Sequence, residues 1–377
     1  MAVVTCIEDL RRMAQKRVAR AIFEYVDRGS YDEVTLHANR SDLEALKFRQ
    51  RVGIDVGHRT TRSTMLGQEV AMPVAIAPVG LSGLNWADGE MLGARAAEKF
   101  GVPFTLSTMS ICSIVDVASA VTKPFWFQLY VFRDRGFAAS LIDRAKAAGC
   151  SALVLTLDLQ IQGQRHMDLK TGLTVPPRLT LGTMLDVMAK PGWVLNVLTG
   201  RRKTFGNLQI PEAHSLSTLA QWIAGQFDPT LNWKDLEWIK ARWGGKLILK
   251  GILDVEDAKI AASTGADAIV VSNHGGRQLD GTVSSIRALP EIAAAVGDRI
   301  EILLDGGVRS GQDVLRALAL GAKGTMIGKA FAWGLGAMGE AGVTKALEII
   351  QKELDVTMAL CGLRNVNEAT PAILRSS

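Results

Sequence analysis

At 377 residues and 48% hydrophobic content the chain can bury a sizeable core, either as one (β/α) barrel with additions or as two ordinary domains. A net charge of +5, the small difference between 43 basic and 38 acidic residues, does not point to nucleic acid, and no nucleic-acid-binding motif accompanies it. Four scattered cysteines (Cys6, Cys112, Cys150 and Cys361) form no CxxC pair and no cysteine–histidine cluster, so neither a disulfide framework nor a metal site is expected, and a reducing, cytoplasmic setting is the default.

Residues 1–70 open with an amphipathic helix expected to end near Tyr25 and Gly29, followed by a connector. Glu8, Asp9 and neighbouring basic residues interrupt any apolar core an export signal would need. The longest uncharged run, Val70 to Ala87, contains Pro73, Pro78, Gly80 and Gly83 and suits a strand with its loop better than a membrane span. From there eight short β-rich runs recur with helical text between them: Val74–Pro78, Phe104–Ser107, Phe125–Tyr130, Ala152–Asp158, Lys246–Gly251, Ala268–His274, Ile300–Gly307 and Gly324–Gly328. Alternation of this kind predicts an α/β fold, a TIM (β/α)8 barrel of parallel strands. The whole of 1–377 is expected to be one domain, with residues 1–70 as an N-terminal helical cap and 71–158 plus 232–340 as the barrel. Residues 159–231 would be an insertion after the fourth strand, and 341–377 a C-terminal helical region.

That insertion is far longer than an ordinary βα connection. Within 170–203 it carries Lys170, Arg178, Lys190, Arg201, Arg202 and Lys203 against the single acid Asp186. Leu181, Met184, Leu185 and Met188 fall at i, i+3, i+4 and i+7, and Trp193, Val194, Leu195, Val197 and Leu198 follow. Two readings stand side by side: a basic, apolar segment lying on a membrane surface, or a lid or subunit interface.

Polar residues gather at the C-terminal ends of the runs: Gln128 and Tyr130, Thr156 and Asp158, Lys250, Ser272 and His274, Asp305, then Lys329. A barrel of this type carries its site on that face. In Val270–Gly281 an apolar run breaks into Ser272, Asn273, His274, Gly275, Gly276 and Arg277, which puts a proton acceptor near a carboxylate receptor. The plainer alternative is a core histidine beside a surface arginine. Asp305-Gly306-Gly307-Val308-Arg309 and Gly328-Lys329 follow the seventh and eighth runs, where barrels bind phosphate through backbone N–H groups. Lys250 fits either a Schiff base with a carbonyl substrate or a charge stabilising an electron-accepting ring. His37, His58, His166 and His214 have no comparable partners in the sequence and are read as structural or solvated.

Taken in order, Ala77-Pro78-Val79-Gly80, Leu106-Ser107-Thr108, Trp126-Phe127-Gln128-Leu129-Tyr130, Thr156-Leu157-Asp158, Leu249-Lys250-Gly251, Ser272–Asp280 and Asp305–Arg309 resemble the FMN-dependent 2-hydroxy-acid oxidases and dehydrogenases over nearly the whole chain. Within that family, Val131–Phe137, Phe227-Asp228-Pro229 and Trp233–Ile239 look most like the branch that oxidises L-lactate for the respiratory chain. The resemblance implies FMN as cofactor, a small 2-hydroxy acid as substrate, a quinone or cytochrome as acceptor, a homotetramer, and a location on the cytoplasmic face of the inner membrane. It also implies roles. His274 is the base, oriented by Asp158; Arg277 and Arg165 clamp the substrate carboxylate, and Tyr25 and Tyr130 hydrogen-bond the substrate. Ala77, Pro78, Val79, Ser107, Gln128, Thr156 and Lys250 hold the flavin ring. Ser272, Asp305, Gly306, Gly307, Arg309, Gly328 and Lys329 hold the ribityl phosphate. Lys329 departs from the family's usual arginine, and Met109 from the bulky aromatic of glycolate oxidases, so the latter bears on substrate size. Gly80, where many oxidases have alanine, leans towards a dehydrogenase. The alternatives are a mandelate or glycolate dehydrogenase, or an oxidase that reduces oxygen.

Overall fold

The short apolar runs form parallel strands whose residues are almost all buried, as two-sided burial requires. In the computed structural model, which describes residues 3–172, 181–202, 204–208 and 225–375, these are β1 (Val74–Ile76), β2 (Thr105–Ser107), β3 (Trp126–Leu129), β4 (Ala152–Thr156), β5 (Lys246–Ile252), β6 (Ala268–Val271), β7 (Glu301–Leu304) and β8 (Gly324–Ile327). Each from β2 to β7 pairs with the next, β8 returns to β1 through the register Thr325↔Val74 to Ile327↔Ile76, and a bridge between Ile76 and Phe104 closes the ring. The fold is a TIM (β/α)8 barrel, as the alternation predicts.

Inside the barrel Ala75, Trp126, Val154, Ile248, Val270 and Met326 pack together. Met65, Leu66 and Val70 join them from an antiparallel hairpin, Ser63–Met65 with Gln68–Val70, and Leu66 N–H donates to Glu301 Oε1 at 2.9 Å. Glu301 begins β7, so the hairpin plugs the end where strands start and leaves the opposite mouth for chemistry.

The observed strands stop two or three residues short of the predicted runs at β1, β4, β6 and β7. Ser272 and Asp305 still donate their N–H groups to Ile252 and Val271 carbonyls, but the chain then turns through His274 and through Gly306 and Gly307, all with positive φ. Ser272, His274 and Asp305 therefore sit in the first turn beyond the ladder, whereas Gln128, Thr156 and Lys250 lie within it.

The expected single N-terminal helix is two, Ile7–Arg17 and Arg20–Asp27, broken at Val18 and Ala19, which are buried. No glycine or proline marks the break. It is satisfied from the insertion: Lys190 Nζ donates to the carbonyls of Gln15 and Val18, and Asp186 accepts from Arg20 N–H at 2.6 Å. A third helix, Val34–Ala45, follows, and its first N–H groups are received by Asp280 Oδ1 and Oδ2, with Thr35 N–H at 2.8 Å.

The insertion forms helices His166–Thr171, Leu181–Met188 and Pro191–Thr199, and in the second of these the Leu181, Met184, Leu185 and Met188 stripe is exposed. The predicted basic residues Arg178 and Lys203 lie outside the described residues. Trp193 is half-buried and donates its indole N–H to Leu84 O at 2.8 Å, tying the segment to the loop after β1.

The 21-residue C-terminal helix, Glu340–Leu360, crosses helix Gly311–Ala319 so closely that a Cβ at Gly311 would stand 2.0 Å from Leu354 N and 2.3 Å from Ile350 O. Gly311→Ala is expected to cost about 1–3 kcal/mol through overpacking, seen as a lower midpoint in chemical denaturation with the flavin-site residues unmoved.

Candidate active site

His274 enters the mouth from the turn after β6 with a left-handed backbone, φ +57°, uncommon for a residue with a Cβ. Its N–H donates to Ser272 Oγ at 3.1 Å, which holds the turn. Nδ1 lies 3.0 Å from Asp158 Oδ1, leaving Nε2 for a ligand. Asp158 is itself placed by Gln278, whose side-chain amide donates to Asp158 O at 2.6 Å and Ile161 O at 2.9 Å, and by Gly251, where φ is +100° and a Cβ would stand 2.6 Å from Asp158 Cγ. Burial pushes the His274 imidazolium below its ordinary value, against the pull of Asp158. Burial alone would raise the Asp158 carboxyl, but charge and hydrogen bonding from His274 hold it below the usual carboxylate range.

Lys250, at the end of β5, is buried with its Nζ 2.8 Å from Asp305 Oδ2 and 3.0 Å from Ser272 Oγ. Burial would strip its proton, but the Asp305 and Asp158 charges raise its pKa above that of a free lysine. A lysine held protonated is a poor Schiff-base nucleophile, so the charge-stabilising reading of Lys250 is the one this environment favours. Ser272 and Asp305, which the resemblance assigns to the ribityl phosphate, both contact Lys250 Nζ. Ser272 Oγ is occupied, whereas Asp305 Oδ1 is buried and without a partner.

Arg277 and Arg165 both face the Tyr25 ring, at 4.7 and 5.7 Å from its centroid. Arg277 Nη1 donates to the carbonyls of Tyr25 and Arg28, so Nε and Nη2 form the edge left for a carboxylate. Burial and the neighbouring Arg165 push the Arg277 guanidinium down to about 10. Tyr130 packs edge-on against Phe227, and burial together with the Asp158 charge keeps its hydroxyl protonated far above the ordinary range.

His274, Lys250, Asp305, Arg277, Arg165, Tyr25 and Tyr130 surround a cavity of about 460 Å³ that also touches Ala77, Pro78, Val79, Ser107, Thr156 and the Gly306–Arg309 turn, while Asp158 and Ser272 stand behind them. Gln128 lies one layer behind; its Oε1 accepts from Ser107 Oγ at 3.0 Å. Gly307 could carry no side chain, since a Cβ would meet Asn39 O at 2.4 Å. Lys329 lines the cavity, but its Nζ donates to the carbonyls of Val26, Asp27 and Arg28 at 2.8, 3.0 and 3.3 Å. Its Nζ is thus engaged by the end of helix Arg20–Asp27, and burial, with the neighbouring Arg277, lowers its pKa well below an ordinary lysine.

Motif reading missed Asp168, Thr204, Phe205 and Phe227, which also line the cavity. Asp168 follows Arg165 by one helical turn and lies 3.8 Å from it, a spacing the sequence displays. Thr204 and Phe205 come from the far end of the insertion and carry no local signal. Asn207 beside them is buried and donates to Ser110 Oγ at 2.9 Å and Ser107 O at 3.3 Å, fixing the insertion to the turn after β2.

The profile of a family described as FMN-dependent dehydrogenase matches residues 14–376. The chain belongs to that family. FMN is its cofactor, and the residues fit it: Gln128 Nε2, Thr156 Oγ1, Asp305 Oδ1 and Arg309 Nε are buried polar atoms without a protein partner, all at this mouth. Among curated relatives, this dehydrogenase is 49% identical to an L-lactate dehydrogenase of Caulobacter sp. (strain K31), over 99% of the chain and 98% of the relative. It is 46% identical to one of Pseudomonas syringae pv. syringae with the same coverage. Among solved structures it is similar to the monotopic membrane protein (S)-mandelate dehydrogenase, with TM-score 0.95 and 35% identity over 100% of both chains. It is also similar to a mandelate oxidase, with TM-score 0.85 and 37% identity over 99% of this chain and 98% of the other.

Because only neutral imidazole can accept a proton, and His274 titrates below 6.5, kcat/KM is expected to be flat above neutrality and to fall on acidification with an acid limb below that value. Asp158→Asn removes the charge that favours the imidazolium, so the limb moves to still lower pH while the rate drops; a pH series of flavin reduction checks both.

Proposed function

We propose that the protein oxidises L-lactate to pyruvate and delivers the electrons to a quinone or cytochrome at a membrane surface. One observation carries the chemistry: His274, paired to half-buried Asp158, shares a cavity with two arginines directed at one tyrosine ring. The names of the curated relatives support lactate as the substrate. Bound FMN supplies the two-electron acceptor. Arg277, through its free edge, and Arg165 bind the substrate carboxylate and fix the α-carbon. The Tyr130 and Tyr25 hydroxyls position the remaining oxygens. His274 takes up a substrate proton at Nε2, and Asp158 stabilises the imidazolium so formed. Lys250, kept charged by Asp305, places positive charge beside the ring-binding side of the cavity.

A second reading, (S)-mandelate as substrate, is favoured by the structural likeness to (S)-mandelate dehydrogenase and by an apolar wall of Leu84, Met109, Ile111, Leu159 and Phe205. Anaerobic mixing with L-lactate, D-lactate, L-mandelate or glycolate, followed at 450 nm, separates the two. Bleaching by L-lactate, slow recovery in air and fast recovery with a quinone analogue is the expected outcome; bleaching by mandelate alone reassigns the substrate, and fast recovery in air makes the protein an oxidase. His274→Gln is expected to keep the flavin band and slow its reduction by about 10²–10⁴-fold. A homotetramer belongs to the same reading, and light scattering measures it.

No helix among the described residues is long and apolar enough to cross a membrane. Peripheral attachment, on the cytoplasmic face of the inner membrane, is supported by the exposed Leu181, Met184, Leu185 and Met188 and by the monotopic neighbour. The positive charge of the segment contributes less than its composition suggests, because Arg202 pairs with Asp116 and Lys190 is turned inward, while Lys170 and Arg201 are exposed. Vesicle co-sedimentation is therefore expected to survive moderate salt and to be lost in a Leu185→Asp, Met188→Asp double variant.

A further inference from the structure

One buried acid at the mouth has no part in the chemistry above. Glu90 is 1% exposed and stands in the first turn of helix Gly89–Phe100, where the helix terminus favours a carboxylate. Its Oε1 accepts from Gly83 N–H at 3.0 Å and Ile111 N–H at 2.9 Å, and its Oε2 from Cys112 N–H at 3.3 Å. Gly83 lies in the stretch after β1, and Ile111 and Cys112 in the stretch after β2.

Both stretches wall the cavity, the first with Gly80, Leu81 and Leu84, the second with Met109 and Ile111. They are in close contact. Leu81 N–H donates to Met109 O at 2.9 Å, a Cβ at Gly80 would stand 3.2 Å from Met109 Cβ, and one at Gly83 would stand 2.6 Å from Ile111 Cβ. Leu81 holds a left-handed backbone, φ +60°, a strained state that persists only where the surroundings impose it.

We propose that Glu90 is a positioning residue that sets the spacing between these two stretches and thereby the size of substrate side chain the cavity accepts. The inference rests on the 2-hydroxy-acid reading of the site. A carboxylate is needed because both oxygens must accept; an amide turns one of them into a donor pointed at an N–H group. Loss of that bond parts the Met109–Cys112 stretch from Gly83. His274, Asp158 and Arg277 hang from other strands and keep their places.

The test compares kcat/KM for L-lactate and L-mandelate in the FMN-loaded wild type, Glu90→Gln, Met109→Ala and the double variant. The mandelate-to-lactate ratio is expected to rise about tenfold in each single variant, the worth of a small change in an apolar pocket. In Glu90→Gln the change falls on KM more than kcat, and the His274 acid limb does not move. Because both variants loosen the same wall, the double variant gains less than the product of the singles. Should Glu90→Gln fail to fold, Gly83→Ala, whose Cβ would stand 2.6 Å from Ile111 Cβ and 3.1 Å from Glu90 Oε2, keeps the carboxylate chemically present while pushing the two stretches apart, and is expected to move the ratio the same way. An unchanged ratio in the folded Glu90→Gln or in Gly83→Ala, or strict additivity in the double variant, overturns the proposal. Absence of bleaching by any 2-hydroxy acid in the wild type is a different failure, since it removes the reading beneath the proposal.

Discussion

The ion pair between Lys250 and Asp305 is the interaction from which the rest of the mouth follows. An ammonium and a carboxylate 2.8 Å apart, both shielded from solvent, are held there only as long as each has the other, since removing one member of such a pair costs on the order of 3–5 kcal/mol. The pair fixes the end of β5 against the turn after β7. Ser272 lies between them in the ring order, its hydroxyl oxygen accepting a hydrogen bond from Lys250 Nζ and another from His274 N–H. That second bond holds His274 in its left-handed turn, which brings the imidazole to Asp158 beyond β4. A buried charge pair, a shared hydroxyl and a strained backbone thus act in series to orient one base.

The same economy of charge governs the cap. Helix Arg20–Asp27 ends over the mouth, and the negative end of its dipole meets Arg277 and Lys329, which donate to the carbonyls of Tyr25, Val26, Asp27 and Arg28. Asp280, just beyond the His274 turn, receives the N–H groups that begin helix Val34–Ala45, and Asn273 exchanges two side-chain amide bonds with Asn39 in that helix. The cap is held by the site's own residues, so the tyrosine it contributes is fixed relative to the arginines that face it. A substrate carboxylate entering at Arg277 meets a guanidinium already oriented by the cap.

The barrel was readable because its strands are short, buried on both faces and spaced by helices, and because polar residues fall at one end of nearly every run. His274, Asp158 and Lys250 stood out as polar residues ending apolar strands, where a bland core would have continued. The break at Val18–Ala19 was not readable, since no glycine or proline causes it; Lys190 and Asp186 of the insertion satisfy its backbone groups. Phe205 and Asn207 were invisible for a related reason, as a phenylalanine and an asparagine in a long insertion announce nothing until the chain folds them against the turn after β2. Glu90 reads as an ordinary first-turn acid, and its three N–H partners emerge only when two loops are brought together.

By itself, then, the sequence determined the order of strands and helices, the face that carries the polar residues, and the chemistry those residues can perform, because burial periodicity and residue type are local properties. Only the tertiary structure decided which groups pair. Lys329, which the resemblance puts at a phosphate, donates to carbonyls 301 to 303 residues away; Arg202, counted in the sequence among the basic residues of the insertion, is taken by Asp116. The physical reason is that a cation's partner is whatever acceptor the fold brings within hydrogen-bond distance, and that distance is set by packing between segments remote in the chain.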